Sequence, residues 1–262
     1  MGIAKVVAAL NRTADLGFTA GLDTEFYGVQ VGKQSCVARA RVHIWSVAVP
    51  RWPVVISPRG TPICDAAVLG SGALLEPGII HWLTSNAPKF VHNLPVDAHA
   101  FGNMGINLGG GLNTLALARW AWPERARGAG FTLDALGRDF LGIGKMSEFK
   151  EVFSEEITEY NVRTKRISYC ECGANPCRKR VTSPGHRRLE RLEETRIPKQ
   201  VVREIPLESV GPDHPRWEPA LDYAAQDAVL AHGVGTLALR TMEGKKVDVP
   251  WLPRISAHIG PL

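Results

Sequence analysis

The run Cys36–Val49, CVARARVHIWSVAV, constrains the fold most, because its side chains alternate with period two. Val37, Arg39, Arg41 and His43 fall on one side, and Ala38, Ala40, Val42 and Ile44 on the other. A helix would scatter these residues around its circumference, whereas a strand sorts them onto opposite faces. The run therefore predicts a half-buried strand of an antiparallel pair. Leu16–Phe26 reads as a first strand before it, and Pro53–Ser57 as its hairpin partner after the short Arg51–Trp52 connection. Lys89–Asn93, KFVHN, is a short buried strand. Helical patterns occupy the rest. Gly72–Ser85 carries Leu75, Ile79, Ile80 and Leu83 at helical spacing, and a helix opens at Leu94 with Pro95 in its first turn, where proline is tolerated. Asn113–Trp122, Leu133–Leu141 and Glu218–Leu239 are further helices, the last with Pro219 at its start. The expected class is α/β. Between Ile167 and Pro198 no period is clear except over Arg187–Arg196, a charged stretch read as a short helix.

Composition adds bounds. The 262 residues suffice for one full core, and 45% apolar with 22% charged residues is ordinary for a soluble globular chain. No apolar run reaches membrane-spanning length. Lys5 interrupts the first apolar segment and Val6 stands where a myristoylation signal wants Ser or Thr, so neither a secretory leader nor that lipid is expected. Five cysteines, an odd number, argue against a disulfide framework and for a reducing compartment, which predicts a cytoplasmic protein. The formal charge of +5 is unevenly spread: residues 163–203 hold 12 Lys and Arg against 4 Glu, a local net of +8, leaving −3 elsewhere. That concentration suggests a polyanion partner; a solvated surface loop is the alternative.

The first strand contains an oddity. Asp23 and Glu25 lie two apart, so both carboxylates leave one face of it. Like charges held so close repel, and burial would make each harder to ionise. Either the run is a solvated edge or something positive sits between the acids. Two further pairs follow: Asn93 and Asp97, four apart across a strand end and a helix start, and Tyr223 and Asp227, at i and i+4 on one helical face. Each spacing alone is common, and Asn11 to Asp15 repeats the second one. Their order and setting are what distinguish them.

In that order and setting the chain resembles the DEDD 3′–5′ exonucleases of the ribonuclease H-like fold, which include the proofreading domains of family A polymerases. The residues carrying the resemblance are Asp23 and Glu25 on the first strand, Asp97 after the next buried strand with Asn93 before it, and Asp227 on the last helix. Tyr223, four before Asp227, places it with the tyrosine branch; the other branch has His at the position of Asp222. Leu112–Gly142 is also similar to the family's intervening segment, with Asn113 where Asp is frequent. The similarity covers roughly residues 16–160 and 205–240, and leaves the basic segment 163–203 as an insertion.

The resemblance implies a metal-dependent 3′–5′ exonuclease. Asp23, Glu25, Asp97 and Asp227 would hold two Mg²⁺ or Mn²⁺ ions, and Tyr223 would orient the attacking water. Thr24, Phe26, His92 and Asn93 would line the substrate path, although Asn93 also suits a helix N-cap. The implied substrate is single-stranded DNA, with RNA trimming as the alternative, and a DNA polymerase or other replication protein is a candidate partner. A reading from another class is a non-catalytic nucleic-acid-binding module. Cys170, Cys172, Cys177 and His186 could form a structural zinc site, free thiols being the alternative. Arg178, Lys179 and Arg180 could track a nucleic-acid backbone.

Overall fold

The computed structural model describes residues 2–31, 34–128, 130–145, 154–170 and 188–245. They form two compact units, one spanning Met1–Phe153 with Pro206–Leu262, the other Ser154–Ile205. The first unit is built on a five-stranded mixed sheet in the order β3-β2-β1-β4-β5. Its strands are β1 (Ala20–Val31), β2 (Gln34–Pro50), β3 (Cys64–Gly70), β4 (Lys89–Val91) and β5 (Gly111–Asn113). β2 runs antiparallel to both β1 and β3, while β4 and β5 continue the sheet parallel to β1.

Helix α1 (Ile3–Asp15) precedes the sheet and buries Val6, Leu10 and Thr13, one face at helical spacing. Gly17, at φ 71°, turns the chain out of it, so the first strand begins at Ala20 rather than at Leu16. The alternating run lies in β2 as expected, antiparallel to β1. Its other partner differs from expectation. Pro53–Ser57 forms no strand; Ile56 makes one isolated bridge to Pro62, and β3 pairs along β2 from Pro50 to Ile44. Proline at position 53 lacks the amide hydrogen that a ladder needs. Gly72–Ser85 also divides, into a 3₁₀ turn (Ser71–Leu75) and α2 (Pro77–Thr84), with Pro77 at the new start.

Helix α3 (Leu94–Gly102) follows β4, α4 (Thr114–Ala121) follows β5, and α5 (Leu133–Leu136) runs into a π turn over Gly137–Leu141. Asn113 caps α4, its side chain accepting from the amides of Leu115 and Ala116. The last helix, α6 (Trp217–Gly244), is 28 residues long and packs on β1 and β2. Two cores flank the sheet. Leu22, Trp45, Val47, Ile79, Trp82 and Phe101 belong to the one shared with α1, α2 and α3. Phe90, Leu117, Leu136, Leu230 and Val234 belong to the one shared with α4, α5 and α6. No helix among the described residues is long and apolar enough to cross a membrane.

The second unit is an antiparallel pair, β6 (Ser154–Cys170) with β7 (Arg188–Glu204), each of 17 residues. The stretch read as a short helix, Arg187–Arg196, is therefore strand from Arg188 onward. Opposite charges face each other across the ladder in Glu155↔Arg203, Glu159↔Lys199 and Lys165↔Glu193, pairings that a local periodicity search does not see. Cys170 ends β6, and the rest of the expected zinc set, Cys172, Cys177 and His186, lies outside the described residues, as do Arg178, Lys179 and Arg180.

Candidate metal centre

Gly21 sets the geometry. Side chains alternate along β1, so Ala20, Leu22 and Thr24 point away from the face that carries Gly21, Asp23 and Glu25. A Cβ at Gly21 would stand 2.1 Å from the carbonyl oxygen of Ala228, so glycine lets α6 lie directly on the strand. The helix meets it with small residues, Ala220, Ala224 and Ala228, all fully buried. Ser46, which pairs with Asp23 in the ladder, donates its hydroxyl to the Ala224 carbonyl at 2.6 Å and ties the helix to β2. Asp227 is thereby delivered to the acid pair. One carboxylate oxygen each from Asp23, Glu25 and Asp227 lie within 4.8 Å of one another.

Asp97 arrives from the opposite side, on the first turn of α3, a helix whose Ala100 and Phe101 belong to the other core. Thr24 donates its hydroxyl to Asp97 Oδ1 at 2.5 Å. The fourth acid is thus held beside the trio rather than within it, and near enough for its charge to act on Asp23 and Glu25.

The electrostatics of this cluster are unfavourable as they stand. Burial, and then the charges of Glu25, Asp227 and Asp97, push the Asp23 carboxyl well above the usual range. Burial and the Asp227 charge push Glu25 up to about 8. Burial pushes Asp97 up to about 7, with the Thr24 hydrogen bond opposing it. Asp227 is also raised by burial, against the pull of Lys145. Among the described residues, Asp23 Oδ2 and Asp227 Oδ1 are buried without a hydrogen-bond donor. Acidic oxygens that repel one another, two of them lacking any donor, suit a hard divalent cation, whose charge would reverse the sign of each interaction.

Lys145 was not singled out by sequence reasoning. Its ammonium donates to the Tyr223 hydroxyl at 2.8 Å and to the Asp227 carboxylate. It also stands 4.6 Å from the centre of the Tyr223 ring. Burial lowers its pKa, but the Asp227 charge and the bonds to Asp227 and Tyr223 outweigh that, so it is held as a cation. Tyr223 is raised by burial and by the charges of Asp227 and Glu25, and keeps its phenolic proton. No residue-type pattern around Lys145 flags it; its position is a product of tertiary contacts.

The remaining expected residues have these places. His92 bonds Thr114 Oγ1 through Nδ1 at 3.0 Å, and burial lowers it to about 4, so it is neutral. Asn93 is at the N-cap of α3 in the left-handed region, φ 59°, and its side chain makes no capping bond. Phe26 is half-buried against the core of α1, α2 and α3.

No family model matches the sequence, and no curated protein matches it. Among solved structures, the chain is similar to the POL domain of Pol1 from M. smegmatis in complex with DNA primer-template and dNTP. Identity there is 18% and the TM-score 0.40, over 55% of this chain and only 22% of the other. It is also similar to the EXD2 exonuclease domain soaked in Mg and GMP, at 14% identity and a TM-score of 0.30, over 94% of this chain and 92% of that one.

Proposed function

We propose that this chain is a metal-dependent 3′–5′ exonuclease of the ribonuclease H-like fold, acting on single-stranded DNA, with RNA as the alternative polymer. The observation that carries the proposal is the convergence of Asp23, Glu25 and Asp227 from a central strand and a crossing helix, with buried oxygens that lack donors. A phosphodiesterase needs such a cluster because Mg²⁺ prefers carboxylate oxygens and keeps several waters. Asp23, Glu25 and Asp227 would hold one ion and, with Asp97, a second. Bound there, the ions would supply an activated water and offset charge developing on the scissile phosphate.

The chain's own residues do the rest. Thr24 fixes Asp97 through its hydroxyl, so that carboxylate does not have to find its rotamer when the site loads. Tyr223, a neutral phenol one helical turn before Asp227, would orient the attacking water through its hydroxyl. Asn93 and Phe26 would meet the terminal nucleotide. His92, neutral and bonded to Thr114, would hold the strand end that carries Asn93. The basic segment 163–203 would bind the polymer's phosphates, with Arg178, Lys179 and Arg180 among the contacts, a zinc ion on Cys170, Cys172, Cys177 and His186 as its staple, and a replication polymerase as a partner.

The test is a digestion of 5′-labelled single-stranded DNA and RNA of one sequence, with Mg²⁺ or Mn²⁺, beside Asp23→Ala. The proposal expects a ladder shortening from the 3′ end that disappears in the variant and with chelator, and the faster polymer names the substrate. Retained binding with no cleavage of either polymer would refute it and leave a nucleic-acid-binding module.

A further inference from the structure

Lys145 is unlike a surface lysine that has fallen onto a nearby acid. The peptide group that leads into it is anchored at both its carbonyl and its amide. The amide of Lys145 donates to Asp134 Oδ1 at 2.8 Å, and the carbonyl of Gly144 accepts from Gln226 Nε2 at 2.6 Å. Gln226 is the residue before Asp227, so α6 holds both the backbone next to the lysine and the carboxylate that receives its ammonium. Gly142 turns the chain with φ 72°. At Gly144 a Cβ would lie 2.5 Å from Arg138 Nε and 2.9 Å from Asp134 Oδ1, so the side chains of Arg138 and Asp134 lie close against this glycine. The ammonium is mostly shielded from solvent, its side chain 22% exposed and that of Asp227 6%.

The acid trio therefore already has one internal cation. It sits on Asp227 Oδ2 and on the Tyr223 hydroxyl, while Asp227 Oδ1 and Asp23 Oδ2 find no donor among the described residues. A lone ammonium cannot neutralise three carboxylates, and the one it contacts is Asp227, which the helix brings to the strand pair. We propose that Lys145 is a placeholder cation: it holds Asp227 and Tyr223 in position without metal, and gives up the carboxylate when a divalent ion enters. The inference rests on the metal-centre reading. Its consequence is that Lys145 sets the metal threshold of the enzyme. A divalent ion has to displace the ammonium from Asp227 and tolerate its charge nearby, so affinity is lower than the carboxylates alone would give. The gain is a cluster that stays assembled when it is not loaded.

Lys145→Met removes the charge and keeps most of the stem. Mn²⁺ is titrated calorimetrically into wild type, Lys145→Met and Lys145→Arg at pH 8.5, where proton competition for the carboxylates is least. The proposal expects Lys145→Met to bind the ion at least about tenfold more tightly than wild type. It expects Lys145→Arg to remain within about threefold of wild type, and metal-free Lys145→Met to melt at lower temperature, with excess Mn²⁺ restoring it. A lysine with only a structural role would shift affinity the other way, so equal or weaker binding by folded Lys145→Met overturns the proposal. Should that variant not fold, the wild type gives the answer by NMR. The Lys145 Nζ resonance, assigned by its loss in Lys145→Arg, has to shift on saturation with Mg²⁺, and an unmoved signal overturns it. Absence of any ion binding by wild type overturns the metal-centre reading itself, an outcome distinct from bound ions that ignore Lys145.

Discussion

Gly21→Ala is a one-methyl change, two residues before Asp23 and removing no proposed ligand, that should disassemble the site. The added Cβ would stand 2.1 Å from the Ala228 carbonyl oxygen, 2.9 Å from His232 Cβ and 3.1 Å from the Ala228 carbonyl carbon. Two of those three atoms are helix backbone and the third is a Cβ, so no flexible side-chain tip can yield. To restore van der Waals contact α6 has to retreat by roughly 1 Å, and overpacking of that kind costs about 1–3 kcal/mol. The same shift stretches the 2.6 Å bond from Ser46 to Ala224, adding about 1 kcal/mol. The variant should therefore unfold about 2–4 kcal/mol more easily, a fall of several degrees or more in Tm for a chain of this size. Asp227 is adjacent to Ala228 and moves with it, and a misplacement of about 1 Å is worth on the order of a hundredfold in rate. The assays are thermal melting by circular dichroism, Mn²⁺ titration, and digestion of a labelled oligonucleotide. A Gly21→Ala protein with wild-type melting, ion affinity and cleavage rate would refute the close packing of α6 on β1 and the role given to Gly21.

Three further outcomes are expected. Metal-free protein should lose stability as pH rises from about 4.5 to 8: Glu25, lifted to about 8, and Asp97, lifted to about 7, bind protons in the folded chain that the unfolded chain has released. The loss should be on the order of a few kcal/mol and should vanish with saturating Mg²⁺; melts at pH 5.5 and 8.5 with and without the ion check it, and equal metal-free melts would contradict the raised carboxyls. Lys89→Met should destabilise by about 3 kcal/mol, read by denaturant unfolding, because the buried Lys89 ammonium donates to the carbonyls of Ser85, Ala87 and Gly109 and the variant leaves them without it. Asn113→Ala should cost about 1 kcal/mol in the same assay through loss of the α4 cap, while Asn113→Asp should cost little.

What could be read in the sequence was what is local or ordered along the chain. The alternation in Cys36–Val49 specified β2, and the structure brings Asp23, Glu25 and Asp227 within reach of one another. Partner choice was not legible. Pro53–Ser57 reads as a neighbour for β2 although Cys64–Gly70 takes that place, because pairing is decided across the sheet, and β6 with β7 sets opposite charges face to face from far apart in the chain, as in Glu159 and Lys199. Helix α1 carries a readable face in Val6, Leu10 and Thr13, which the Lys5 interruption of its apolar run obscures. The offset of Asp97 follows from α3 lying on the far side of β1, and Lys145 owes its place to Asp134, Gln226 and the turn at Gly142; neither arrangement has a spacing that announces it.

The central claim is that Asp23, Glu25 and Asp227 form a divalent metal centre, and crystals soaked in Mn²⁺ test it most directly. Anomalous difference density is predicted between those three carboxylates, with a second peak toward Asp97, and both peaks lost in Asp23→Asn. Ordered carboxylates with no anomalous density among them at saturating Mn²⁺ would contradict the account.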